Sequence, residues 1–161
     1  MIVVSDTSPL SYLSKLERLN LLPRIFGEVM LPPGVLAEWD LDQAADSARE
    51  LAQQSGWLKI VAPENETAVA DLQRWIDRGE AEAIVLAQEL NADLLLMDDG
   101  DGREMAEQRG LKVTGVLGVL LRAKRSGLIP AIRPDLERLL NETNFFCSAT
   151  LIQSVLTLAG E

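Results

Sequence analysis

Short apolar runs alternate along the chain with stretches of helical periodicity. The run IVV at positions 2–4 predicts a first strand. SDTSP follows it, with Pro9 where a first helical turn tolerates proline. Leu10, Leu13, Leu16 and Leu19 then fall on one face of a helix through LSYLSKLERL. EVMLPPGVLAEW predicts a short strand ending at Pro32 and a helix through Glu38 and Trp39. A polar helix over LDQAADSARELAQQSG leads into a strand at WLKIVAP, and ETAVADLQRWID predicts a further helix stopped near Arg78-Gly79. GEAEAIVLAQEL begins the strongest helix, with Ile84, Ala87 and Leu90 as its apolar stripe. LLLM at 94–97 has the unbroken apolar character of a buried strand. GREMAEQRG predicts a helix, LKVTG a strand and VLGVLLRAKRSG a helix whose basic tail suits its dipole. The segments 134–142 and 148–159 close the pattern as helices.

Strands separated by helices imply an α/β fold, a mostly parallel sheet with helices on both faces. With no internal repeat or long linker, residues 1–161 are expected to form a single domain. Ligands of such folds gather beyond the C-terminal ends of the strands. Asp6 follows the first strand, and Asp98 and Asp99 follow LLLM. Both groups are expected to open on the same end of the sheet.

Composition narrows the chemistry. Histidine is absent, which excludes Ser-His-Asp and Cys-His catalysis and histidine-ligated zinc. The single cysteine, Cys147, cannot form an internal disulfide and fits a reducing, cytoplasmic setting. No apolar run has the length of a membrane span, and MIVVSDTSPL lacks the basic region of a signal peptide. Against a net charge of −10, residues 102–139 hold 8 basic and 4 acidic side chains. That basic stretch contains Arg122, Lys124 and Arg125, and it reads as a solvated helix face or as a phosphate-binding one.

Carboxylates are the abundant candidate, with 25 acidic residues. Each has an ordinary structural use. Asp6 suits a turn or helix cap, Glu38 an exposed helix position, and Glu80 and Glu82 a first helical turn favoured by the dipole. Asp98, Asp99 and Asp101 suit a polar turn capping the next helix. Taken together they suggest more, because three or four carboxylates around one cleft repel strongly unless a cation joins them. Oxygen-only ligands suit Mg²⁺ or Mn²⁺, which can activate water for phosphodiester hydrolysis without histidine.

VVSDTSPLSYL, VLAEW, GEAEAIVLAQEL and LLLMDDGDGREMA together resemble the PIN domain, and GVLGVLLRAKRSGLI is similar to a subgroup close to the VapC-type toxins of prokaryotic toxin–antitoxin modules. The resemblance covers about residues 1–130. It implies a three-layer α/β/α PIN-like fold, metal-dependent endoribonuclease activity, inhibition by a small antitoxin protein, and homodimers. By that resemblance Asp6 matches the first family acid and Glu38 the second. Glu80 matches the third with Glu82 a close rival, and either Asp98 or Asp99 matches the fourth. These residues would hold Mg²⁺ or Mn²⁺. Arg103, Arg122, Lys124 and Arg125 would hold the RNA backbone. The small hydroxyl residue usual before the fourth acid is replaced here by Met97 or Leu96, and Thr7 or Ser8 offers a hydroxyl near Asp6. Two other readings compete. One is a catalytically silent PIN-like binding or regulatory module. The other is a phosphorylated receiver-like domain, against which Lys112 counts because it opens its strand instead of ending it.

Overall fold

The computed structural model describes residues 1–41 and 46–161. Five parallel strands, β1 (Val3–Ser5), β2 (Val29–Leu31), β3 (Leu58–Ile60), β4 (Leu94–Leu96) and β5 (Val113–Thr114), form one sheet in the order β3-β2-β1-β4-β5. Burial follows position in that order. All three residues of β1 and of β4 are buried, whereas Lys59 and Ile60 of the edge strand β3 are exposed. The unbroken apolar runs IVV and LLLM thus mark the strands that are flanked on both sides. The register pairs Ser5 with Leu96, and the Asp6 N–H extends it by donating to the Leu96 carbonyl at 2.8 Å.

Helices flank the sheet. Helix α1 (Thr7–Lys15) and helix α2 (Leu21–Phe26) join β1 to β2. The helix expected over 10–19 starts earlier and stops at Lys15, just before Glu17 takes a positive φ of 58°, and α2 lies beyond the expected span. Helix α3 (Pro33–Asp40) and helix α4 (Asp46–Gln54) follow β2. The part of the expected polar helix that falls on residues 42–45 lies outside the described residues. Helix α5 (Glu66–Leu72) ends well before Arg78-Gly79, the stop expected for it. Those residues instead open α6 (Arg78–Glu89), because the Asp77 carboxylate accepts from the Glu80 N–H at 2.8 Å and starts a new helix there.

Helix α6 is the central element. Nine of its residues are buried, and it packs on β1, β4, α3, α5 and α7 (Gly100–Gln108). Helix α8 (Val116–Arg125) packs on β5 and against α1, α2 and α10 (Ala149–Leu158), with α9 (Arg133–Glu142) between α8 and α10 in the chain. Two connections leave β1 in opposite directions. The chain from β1 leads to β2 on one side, and the long return through α5 and α6 places β4 on the other. The C-terminal ends of β1 and β4 therefore border a topological switch point, where the fold leaves a crevice.

Candidate active site

Asp6 sits at the mouth of that crevice as the residue before α1, yet its side chain caps nothing. It is 2% exposed, and its Oδ1 has no hydrogen-bond partner among the described residues. Burial, with the nearby charges of Glu80, Asp77 and Glu38 adding to it, pushes its carboxyl well above the usual aspartate range. The Thr7 backbone N–H offsets part of that cost, but a buried carboxylate oxygen left without a partner is costly, so its retention points to use.

Glu38 and Glu80 approach from two helices that cross closely. Helix α3 carries Gly34 and Glu38, and helix α6 carries Gly79 and Glu82. A methyl group on Gly79 would lie 2.5 Å from Glu38 Oε1, and one on Gly34 would lie 2.4 Å from Glu82 Oε2. Each helix thus lends a glycine to the other's glutamate. Glu82 Oε2 accepts from the Gly34 N–H at 2.6 Å, and Glu82 Oε1 meets Arg78 at 3.1 Å. Glu38 accepts from the Thr7 hydroxyl at 2.9 Å. Its carboxyl is raised by burial and by Asp77, against the lowering effect of Thr7 and the Gly79 N–H.

Positions two apart on a helix diverge by roughly 200°. Glu80 and Glu82 therefore cannot serve one cleft, and the geometry separates them. Glu82 is spent on Arg78 and the start of α3. Glu80 faces the acids, its carboxyl pushed up to about 7 by burial, then Asp77, Asp99 and Glu38. Its Oε2 also receives the Asp77 N–H at 3.4 Å, which completes a reciprocal capping box.

The adjacent acids after β4 divide in the same way. Asp98 is turned to the start of α8, where both its oxygens accept from the Val116 N–H, at 3.0 and 3.2 Å. Burial raises its carboxyl to about 6 despite that N–H and the nearby Arg103. Asp99 precedes α7 and takes the Asp101 and Gly102 N–H groups on one oxygen, each at 3.1 Å, while its charge bears on Glu80. Among the expected residues the structure thus groups Asp6, Glu38, Glu80 and Asp99, and it sets Glu82 and Asp98 beside them in other roles.

Asp77 joins the cluster without having been anticipated. The spacing D-x-x-E over positions 77–80 was the available sign. Met97 is fully buried, with its sulfur against Gly102, so the place of a small hydroxyl is filled by an apolar side chain. The hydroxyl beside the acids is that of Thr7.

The basic run is elsewhere. Helix α8 begins at the acid end and runs back along the sheet, so its last turn lies roughly 15 Å away at the other end. Lys124 there pairs with Glu161 at 3.0 Å and donates to the Ala159 carbonyl, and Arg122 stacks over Phe26 at 5.8 Å. Arg122, Lys124 and Arg125, expected to hold the RNA backbone, thus lie in the last turn of α8 away from the acids, with Lys124 and Arg122 engaged within the fold. Arg103 alone of the four stands at the acid end.

The donor set fits a hard divalent cation. It consists of carboxylate oxygens, one of them buried and unpartnered, and among the described residues no cation pairs with Asp6, Glu38, Glu80 or Asp99. As the side chains stand, no three acids among the described residues converge to enclose an ion.

A family model described as a PIN domain (DUF3368) matches residues 2–161. Among solved structures, a Pyrobaculum aerophilum protein superposes with a TM-score of 0.55 at 16% identity, covering 76% of this chain and 96% of that one. A PilT N-terminus domain protein from the hyperthermophilic archaeon Sulfolobus solfataricus P2 superposes with a TM-score of 0.49 at 19% identity, covering 74% of this chain and 91% of that one. No curated protein matches. Among the described residues no helix is long and apolar enough to cross a membrane.

Proposed function

The chain belongs to the PIN domain family, whose members are typically nucleases, and from that premise we propose that it is a metal-dependent endoribonuclease hydrolysing RNA phosphodiester bonds. The observation that carries the reading is buried Asp6 at the sheet's switch point, its Oδ1 without a partner and its neighbours Glu38, Asp77 and Glu80, with Asp99 beside Glu80. Asp6, Glu80 and Asp99 would hold Mg²⁺ or Mn²⁺, directly or through water, with Glu38 and Asp77 completing the acidic wall. Such an ion lowers the pKa of bound water and neutralises charge on a phosphoryl oxygen. The protein's own residues set the stage. Thr7 fixes Glu38, the capping box fixes Glu80 against Asp77, and the Asp101 and Gly102 N–H groups fix Asp99. Arg103 supplies the positive charge nearest to Asp98 and Asp99 for a phosphate backbone.

The similarity of the sequence to VapC-type proteins extends the proposal to a cytoplasmic toxin of a toxin–antitoxin module, working as a homodimer and held by a small antitoxin protein. Exposed Leu158 near the C-terminus offers apolar surface for such contacts.

Cleavage of a panel of single-stranded and structured RNAs, in Mn²⁺, Mg²⁺ or EDTA, tests the reading. Cutting that requires the metal and is abolished by EDTA and by Asp6→Asn is expected. A folded sample, freed of copurifying partners, that cuts no RNA with either metal would leave a catalytically silent binding module instead.

A further inference from the structure

The acid cleft continues past Asp99. Asp98, the next residue back, lines a neighbouring groove of about 460 Å³ together with Arg103, Gly115, Phe145, Phe146 and Leu151. Its floor lacks side chains by necessity, since a methyl on Gly115 would lie 2.4 Å from Asp98 Oδ1 and 3.0 Å from Arg103 Nη1. Its rim is aromatic. Phe146 is 88% exposed, a costly state for so large an apolar ring, and Phe145 is braced edge-on against Tyr12 with centroids 5.3 Å apart. Arg103 stands on the wall nearest to the acids. Among the described residues its side chain donates one hydrogen bond, to the Met97 carbonyl at 3.4 Å, and no carboxylate lies within ion-pair distance of it. Most of its five donors are therefore unspent.

We propose that this groove is a nucleotide subsite, taking one unpaired base of single-stranded RNA beside the scissile phosphate, with Phe146 as the stacking face and Arg103 as the phosphate contact. The inference rests on the nuclease reading and specifies its substrate as unpaired. Three features select this occupant. The groove is lined by Asp98, the residue before Asp99 of the acid cluster, so whatever lies in it stands beside the cleft. Its volume falls within the roughly 300–1,000 Å³ typical of small-ligand sites. An exposed ring beside a guanidinium that has no ion pair within 4 Å also matches how single strands are held, by stacking and backbone charge. Bases within a duplex cannot splay onto such a ring. In a chain of net charge −10, this arginine, whose nearest acid is Asp98, is the feature that offsets repulsion of an RNA.

Binding of a fluorescein-labelled single-stranded RNA heptamer, kept uncut by EDTA, is to be followed by anisotropy. Phe146 is so exposed that its replacement leaves the core untouched. Phe146→Ala is expected to weaken binding about tenfold, and Phe146→Trp to retain it. A duplex of the same sequence should compete poorly. Equal affinity for wild type and Phe146→Ala, in a protein that still cuts RNA with metal, overturns the subsite and leaves the nuclease standing. Loss of self-association in Phe146→Ala, with RNA affinity unchanged, assigns the groove to a second copy of the chain and overturns the subsite equally. A wild type that neither binds the heptamer nor cuts any RNA fails at the nuclease reading itself.

Discussion

The two ends of the sheet treat their carboxylates in opposite ways. At the C-terminal end of the strands, Asp6, Glu38 and Glu80 crowd together without a cation and are all raised, Glu80 to about 7. At the other end Glu161 accepts from the Ile132 and Arg133 N–H groups at 2.9 and 3.1 Å and pairs with Lys124. Its carboxyl is lowered, first by the Ile132 N–H. Buried Asp135 at the same end meets Arg18 at 3.3 Å. One end stabilises the fold through its charges, and the other holds charges against the fold's interest. Asp135 Oδ2 also lacks a hydrogen bond among the described residues, but there a cation, Arg18, stands beside it, as Lys124 stands beside Glu161. The unpaired set is thus the one that awaits something from outside.

The sharpest break of that contrast is Asp6→Asn. It is expected to reduce metal-dependent RNA cleavage by on the order of 100-fold or more in single-turnover assays, because it removes the buried oxygen with no internal partner. Wild-type turnover in Asp6→Asn would place the chemistry elsewhere. Next in size is the response to the cation itself. Mg²⁺ or Mn²⁺ at about 100 times its Kd should raise Tm by roughly 5–10 °C in wild type and by little in Asp6→Asn. A Tm that ignores both ions would sever the acid end from metal binding.

A smaller effect separates the ends by pH. The folded carboxyl of Glu80 is raised above its unfolded value, so its ionisation destabilises the fold as pH climbs from about 4.5 through about 7. In metal-free protein, Glu80→Gln should raise Tm by about 3 °C at pH 8 and have little effect near pH 4.5. Glu161 has the reverse sign. Its folded carboxyl is lowered, so its contribution is present above the ordinary glutamate value and fades as pH falls through the lowered one. Glu161→Gln should lower Tm by about 2 °C at pH 7 and by nothing measurable once the wild-type group is protonated. Thermal unfolding against pH reads both, and two variants that shift in the same direction would dissolve the contrast.

Much of this was legible in the residues. Unbroken apolar runs are placed on flanked strands, and an acid at the end of such a run has one end of the sheet to go to, so Asp6 and the Asp98-Asp99 pair were located before any coordinates. What stayed closed in the sequence was direction. GEAEA offers two acids of one type, and only the α3 crossing shows that Glu82 is engaged by Gly34 and Arg78. DD offers two more, and only the return of α8 shows that Asp98 serves Val116. The Asp77 side chain read as the tail of one helix because the break at residues 73–77 depends on packing and a cap, not on hydrophobic period. The pairing of Lys124 was closed for a further reason. Its partner Glu161 lies 37 positions along the chain, beyond the reach of any local pattern.

The crossing of α3 and α6 also constrains how this protein can vary. Gly34 and Glu82 occupy one shared volume, as do Gly79 and Glu38. A side chain gained at either glycine evicts the facing carboxylate, and a glutamate shortened alone leaves a gap against a bare backbone. Gly34→Ala would therefore push the Glu82 carboxylate off the Gly34 N–H, and Gly79→Ala would push Glu38 away from the start of α6.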